Sequence, residues 1–313
     1  MIDENDLLTP GMLAKIFLKR AKSDKDSVVG ITGYEGEGKS TLAAWIVIEM
    51  LRLLKKSEEE ILENFNDYMI YSPKREDMEN AVKNLPRYSP INADEAIKAL
   101  YKLKWGSNSQ IYLNTLYGLA RQENKTSLLC MPRFKDFNEF FRNHRIRYWV
   151  HVLETGYFVL FFKDWSPFSS DPWWMDENQK IVNQGYKKKK VTDFSFEDKS
   201  RLLSRTRIYV GMGTFTDLPD DFKKIYREGK KKQAYADIDN KEQDGNLMVE
   251  RSTKRLAETI KMLKEMGVSV KKICSRTGIS SSNVYRYLNG QYSLAKSQTD
   301  AGNIITEEKG DNP

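Results

Sequence analysis

The chain has 313 residues, 40% of them hydrophobic, enough for one substantial core with a smaller module attached. Lys and Arg number 51 against 44 Asp and Glu, and the formal charge of +7 favours an anionic partner without naming one. Two distant cysteines, Cys130 and Cys274, and two histidines, His144 and His151, exclude a disulfide framework or a zinc module and fit thiols in a reducing compartment.

In chain order, Leu7 to Arg20 carries apolar residues at helical spacing, and "KSDKDS" is a polar turn. Val28 to Thr32 predicts a buried strand, Ser40 to Leu54 a helix, and "DYMIY" (Asp67 to Tyr71) a strand. "SPKREDMENAVKNL" opens with a serine cap and Pro73 in its first turn, and helical patterns follow over Ala96 to Leu103 and Asn108 to Gln122. "TSLLCMP" (Thr126 to Pro132) predicts a strand beside that of Val28, and "FKDFNEFFRNH" a helix. "RIRYWVHVLETGYFVLFFKDW" is a hairpin turning at Glu154 to Gly156. Amphipathic helices are expected over Phe194 to Leu203 and Pro219 to Gln233, on either side of "RIYVGMGTF". Strands alternating with helices predict an α/β three-layer sandwich around a mainly parallel sheet over residues 1–236. A charged linker over 237–252, a small all-α unit over 253–292 and a disordered tail over 293–313 complete the division.

The acidic start, "MIDENDLLTPGM", differs from a secretory signal. The most apolar run, "GYFVLFF" from Gly156, is far short of the ~20 residues that span a bilayer, so a cytoplasmic protein without a membrane partner is expected.

The stretch "SVVGITGYEGEGKST" (Ser27 to Thr41) contains Gly33-x-x-x-x-Gly38-Lys39-Ser40, the P-loop spacing. A polyphosphate must be wrapped closely, so Gly33, Gly36 and Gly38 let backbone N–H groups turn inward where side chains would block them. Lys39 would reach the β- and γ-phosphates, Ser40 would supply an oxygen to Mg²⁺, and Thr41 continues the amino end of the helix. Glu35 and Glu37 are compatible with ATP only if both side chains point away from the phosphates.

Downstream, "INADEA" offers Asp94 as the Mg²⁺-holding carboxylate and Glu95 as the group polarising the attacking water. The competing explanation is that both acids merely open the next helix. The arginines Arg142, Arg145 and Arg147 of "FFRNHRIRYW" lie near Arg121 and Arg133 in sequence. Arg142 or Arg145 is the candidate finger for transition-state charge, and otherwise the cluster is a solvated edge or a phosphate-backbone contact. A polar sensor at the end of "SLLCMP" is missing, with Asn124 or Thr126 as substitutes.

"GVSVKKICSRTGISSSNVYRYLNG" (Gly267 to Gly290) has the form of a helix-turn-helix. Val270, Ile273 and Cys274 make an apolar face after a Ser269 cap, Gly278 permits the turn, and Ser280 caps a second helix buried through Val284 and Leu288. Ser281, Ser282, Asn283, Tyr285 and Arg286 then face outward, suited to phosphates and base edges of double-stranded DNA. Thr253 to Tyr292 holds eight Lys and Arg against two acids, so most of the chain's excess charge resides there.

The region Val28 to Tyr157 resembles phage- and plasmid-encoded P-loop ATPases described as zonula-occludens-toxin-like, related to the FtsK–HerA group. The matching stretches are "GITGYEGEGKST", "ADEAIKALYKLKW", "LARQENKTSLLCMPRFKDFNEFFRNHRIRYWV" and "ETGYFVLFF". The resemblance implies a RecA/FtsK-like sandwich and a homo-oligomeric ATPase, such as a hexameric ring, acting on DNA in a virus or mobile element. It carries Lys39, Ser40, Asp94, Glu95 and one arginine of the 142–147 cluster into the family's roles, and does not cover the helix-turn-helix. The leading expectation is therefore an ATP-hydrolysing protein that moves, packages or remodels duplex DNA. The alternative is a DNA-binding regulator or replication initiator that ATP switches with little turnover. A membrane-anchored secretion ATPase is disfavoured, since the sequence has no spanning segment.

Overall fold

The computed structural model describes residues 7–25, 27–71, 75–95, 107–164, 170–186 and 194–289. The chain divides into two compact units, Met1–Ala234 and Tyr235–Pro313.

The first unit is built on a seven-stranded sheet. Its strands are β1 (Ser27–Thr32), β2 (Met69–Ile70), β3 (Pro90–Ala93), β4 (Thr126–Met131), β5 (Ile146–Glu154), β6 (Tyr157–Phe162) and β7 (Tyr209–Thr214). They lie in the order β2-β3-β4-β1-β5-β6-β7. The first five in that order pair in parallel, and β6 and β7 join antiparallel. The expected mixed α/β architecture with a mainly parallel sheet is what is observed.

The two central strands, β1 and β4, are buried at every position, as a strand covered on both faces must be. One face is covered by α1 (Pro10–Ala21) and α2 (Lys39–Leu53) through Leu13, Phe17, Ile46 and Val47, which meet Val29, Leu128 and Val150. The other face is covered by α4 (Arg75–Asn84), α5 (Ser107–Gln122) and α6 (Glu139–His144), which follow the short α3 (Glu58–Glu63) in the chain. There Val82, Tyr117 and Phe141 pack with Ile91, Leu129 and Ile146. Helices α7 (Met175–Tyr186) and α8 (Phe196–Leu203) precede β7.

The strand expected at "DYMIY" shrinks to two residues, because Phe65–Tyr68 close a 3₁₀ turn first. The strand ahead of Asp94 forms despite its modest hydrophobicity. Pro90 is tolerated as its first residue, and all four positions are buried. The helical pattern over Ala96 to Leu103, the start at Ser72 and Pro73, and the tail over 293–313 lie outside the described residues.

Residues 237–252, read as a charged linker, lie within α9, a single helix running Asp220–Glu265. Lys, Glu and Gln are good helix formers and no proline interrupts the stretch, so composition alone resembles a linker while the backbone stays helical.

In the second unit, α9 is followed by α10 (Val270–Thr277) and α11 (Ser281–Leu288). Ile260, Ile273 and Val284, one from each helix, are fully buried together, and Leu256, Leu263, Val270 and Leu288 pack around them. The caps are those expected. Ser269 accepts from the Lys272 amide, Gly278 turns left-handed at φ 71°, and Ser280 accepts from the Asn283 amide.

Candidate functional site

In a parallel sheet the loops that follow the carboxyl ends of the strands share one edge, so β1 and β3 deliver their following residues to the same place. The glycine-rich loop leaves β1, and α2 begins at Lys39 directly after Gly38, which is left-handed at φ 93°. Gly33 is needed for a second reason: a Cβ there would lie 2.8 Å from the Val152 carbonyl oxygen of β5. Asp94 and Glu95 follow β3, two strands away, across roughly 10 Å of sheet.

The Ser40 hydroxyl donates to Asp94 Oδ1 at 2.8 Å, which closes the gap between the two segments. Asp94 is 3% exposed, and its other oxygen accepts from Tyr226 Oη at 2.7 Å and Lys230 Nζ at 3.1 Å. Lys230 also stands 3.7 Å from Glu95 Oε1. Burial opposes the charge on Lys230, but Asp94 outweighs it and raises its pKa above the usual lysine value. Burial, with the Asp94 charge adding to it, raises the Tyr226 phenol, which stays a hydrogen-bond donor. Glu95 takes a left-handed backbone at φ 52°, uncommon outside glycine and frequent where strain serves a site.

Ser40, Asp94, Glu95 and Lys230 line a cleft of about 630 Å³, within the range of small-molecule pockets. Its walls include Gly36, Gly38, Lys39, Thr41 and Glu95, together with Cys130 and Met131 at the end of β4. The Lys39 ammonium donates to the Tyr34 carbonyl at 2.6 Å. Glu37 turns its carboxylate onto the Tyr34 amide at 3.0 Å, whereas Glu35 lines the cleft, so only one of the two acids is committed to the loop itself. Among the described residues no cluster of three or more His, Cys, Asp or Glu could hold a metal by itself.

The residues fit a nucleotide with its divalent cation. A left-handed Gly36 with open space where a Cβ would stand gives the loop a side-chain-free lip. A hydroxyl and a nearly buried carboxylate adjoin it, the hard oxygen donors that Mg²⁺ takes.

The arginines are placed elsewhere. Arg145 directly precedes β5 and Arg142 sits one turn earlier on α6, so both belong to the amino edge of the sheet. Six residues of β1 separate the two edges, roughly 20 Å. The structure does not bring Arg142 or Arg145 to the loop of their own chain. Asn124 and Thr126 are also at that far edge, Asn124 donating to Asp24 and Thr126 in register with Ser27.

Two groups near the loop escaped the sequence. Tyr226 and Lys230, four apart on α9, carry no motif, and Gly229 between them allows the helix to approach Tyr71, where a Cβ would meet the ring at 2.5 Å. His151 pairs across β1 with Thr32, whose hydroxyl accepts from Trp149 Nε1 at 2.7 Å and lies 2.8 Å from His151 Nδ1. Burial, with Lys39 adding to it, lowers the His151 pKa to about 4.

In the second unit, Ser281, Ser282, Asn283, Tyr285 and Arg286 are all exposed on α11, with Tyr285 at 54%. They surround the one buried position, Val284, as a helix seated by a single face requires. Residues 250–291 match the helix-turn-helix domain of resolvase. The match covers this helix-turn-helix alone and points to DNA binding by it. No curated protein matches the chain. Among the described residues no helix is long and apolar enough to cross a membrane.

Proposed function

We propose that the chain is a P-loop ATPase of the RecA/FtsK-like type that acts on duplex DNA, held to it by the resolvase-type helix-turn-helix. One observation carries the enzymatic half. The Ser40 hydroxyl and the Asp94 carboxylate meet at 2.8 Å at the lip of a glycine-rich loop whose lysine opens the following helix. Bound Mg²⁺ would neutralise phosphate charge between these oxygens and the nucleotide. Lys39 would pair with phosphate oxygens in place of the Tyr34 carbonyl, and the first amides of α2 would add their dipoles. Glu95, beside Asp94 and half-exposed, would orient the attacking water.

Because Arg142 and Arg145 stand at the opposite sheet edge, a finger from this cluster would have to come from a second copy. That requirement agrees with the ring-forming oligomers of viruses and mobile elements implied by the family resemblance. A second reading, an ATP-switched DNA-binding regulator with little turnover, draws on Lys230, since its ammonium already holds one Asp94 oxygen. Steady-state ATP hydrolysis with and without long duplex DNA separates the two. The motor reading predicts stimulation by duplex and a stalled Glu95→Gln variant, and turnover indifferent to both would overturn it.

A further inference from the structure

The first unit has a second cleft, at the amino edge of the sheet, also of about 630 Å³. Five segments converge on it. Arg20 comes from the last turn of α1, Lys25 from the turn before β1, Arg121 from the last turn of α5, Phe140 and His144 from α6, and Arg145 and Arg147 from either side of the first residue of β5. None of the described residues that line it is acidic. Asp24, next to Lys25, is taken up by Asn124 at 2.7 Å and Arg87 at 3.3 Å. Basic residues in the last turn of a helix offset its dipole, which accounts for Arg20 and Arg121. It does not account for Lys25 or Arg147, which lie outside helices.

We propose that this cleft binds the phosphodiester backbone of single-stranded nucleic acid, with a base laid on Phe140. Five permanent cations facing one concavity make a track for successive phosphates, and arginine forks pair with phosphate oxygens two at a time. Phe140 is 41% exposed, and its ring lies 4.5 Å from that of His144, an aromatic platform at a basic wall. At about 30 Å³ per water the cleft holds on the order of twenty waters, more than a lone phosphate needs. The site goes beyond duplex contact by the helix-turn-helix and does not depend on the nucleotide cleft.

The test uses the full chain and a fluorescent oligothymidylate, followed by anisotropy over a range of salt. Lys25→Glu with Arg121→Glu changes two exposed side chains and should leave the melting temperature in place. It should weaken oligothymidylate binding at least tenfold and reduce the salt slope by about 1.4, at roughly 0.7 per phosphate contact on single strands. Phe140→Ala should cost roughly fivefold or more with the slope unchanged. Photocrosslinks from 4-thiothymidine should fall within residues 140–147. Unchanged affinity and slope in the charge variant, crosslinks confined to 250–291, or equally effective competition by inorganic pyrophosphate would each overturn the proposal.

Discussion

Replacing Ile273 by alanine should abolish duplex DNA binding while leaving the α/β unit folded. Three residues, Ile260, Ile273 and Val284, make up the fully buried centre of the second unit, and Ile273 is 1% exposed within it. Removing such a side chain costs about 2–5 kcal/mol, from lost transfer energy and from the cavity left behind. Residues 250–291, at ~0.05–0.15 kcal/mol per residue, have about 2–6 kcal/mol of stability to lose. The substitution therefore removes most or all of it. Ile273→Val, at about 0.5–1.5 kcal/mol, should retain binding. The assay is anisotropy with a mixed-sequence duplex at low salt, beside hydrogen exchange over 250–291. An Ile273→Ala variant that binds duplex normally, with its amides still protected, would refute the claim that this core organises the DNA-binding surface.

Lys230→Ala removes one of the four hydrogen bonds that the Asp94 carboxylate accepts. Because Lys230 is 42% exposed, the loss is discounted to about 1 kcal/mol, or about 2–4 °C in melting temperature. Magnesium nucleotide should bind the variant more tightly, since no ammonium competes for the carboxylate, and weaker binding in calorimetry would contradict this. His151 should make stability fall as pH drops from about 6.5 to about 4. The unfolded chain takes up a proton in that window while the folded imidazole stays neutral. The effect is at most about 3 kcal/mol. Denaturant melts of His151→Gln should show a correspondingly flatter slope, and an identical slope would remove His151 as the cause.

Much of the fold is legible along the chain because its signals are local. Continuous apolar runs mark β1 and β4, alternation marks β5, and serines or glycine mark the ends of α10 and α11. The Gly33-to-Ser40 spacing and the acids at Asp94 and Glu95 are likewise contiguous, and a parallel sheet brings such loops to one edge. What stayed hidden depends on distant pairing. Tyr226 reads as one more apolar position of an amphipathic helix, and its hydrogen bond to Asp94 joins residues 132 apart on a helix that Gly229 lets approach Tyr71. His151 reads as an ordinary strand residue until register sets it beside Thr32. The arginines were adjacent in sequence to promising strands, but adjacency does not say at which end of a strand a residue lies. Arg145 precedes β5, and that alone sends it to the far edge.

The most direct measurement is titration of ATP with Mg²⁺ into the intact chain and into Lys39→Ala, read by isothermal calorimetry. Saturable one-to-one binding that requires Mg²⁺ and is lost in the variant is the predicted result. Equal heats from both proteins, or none from either, would contradict nucleotide binding at the glycine-rich loop.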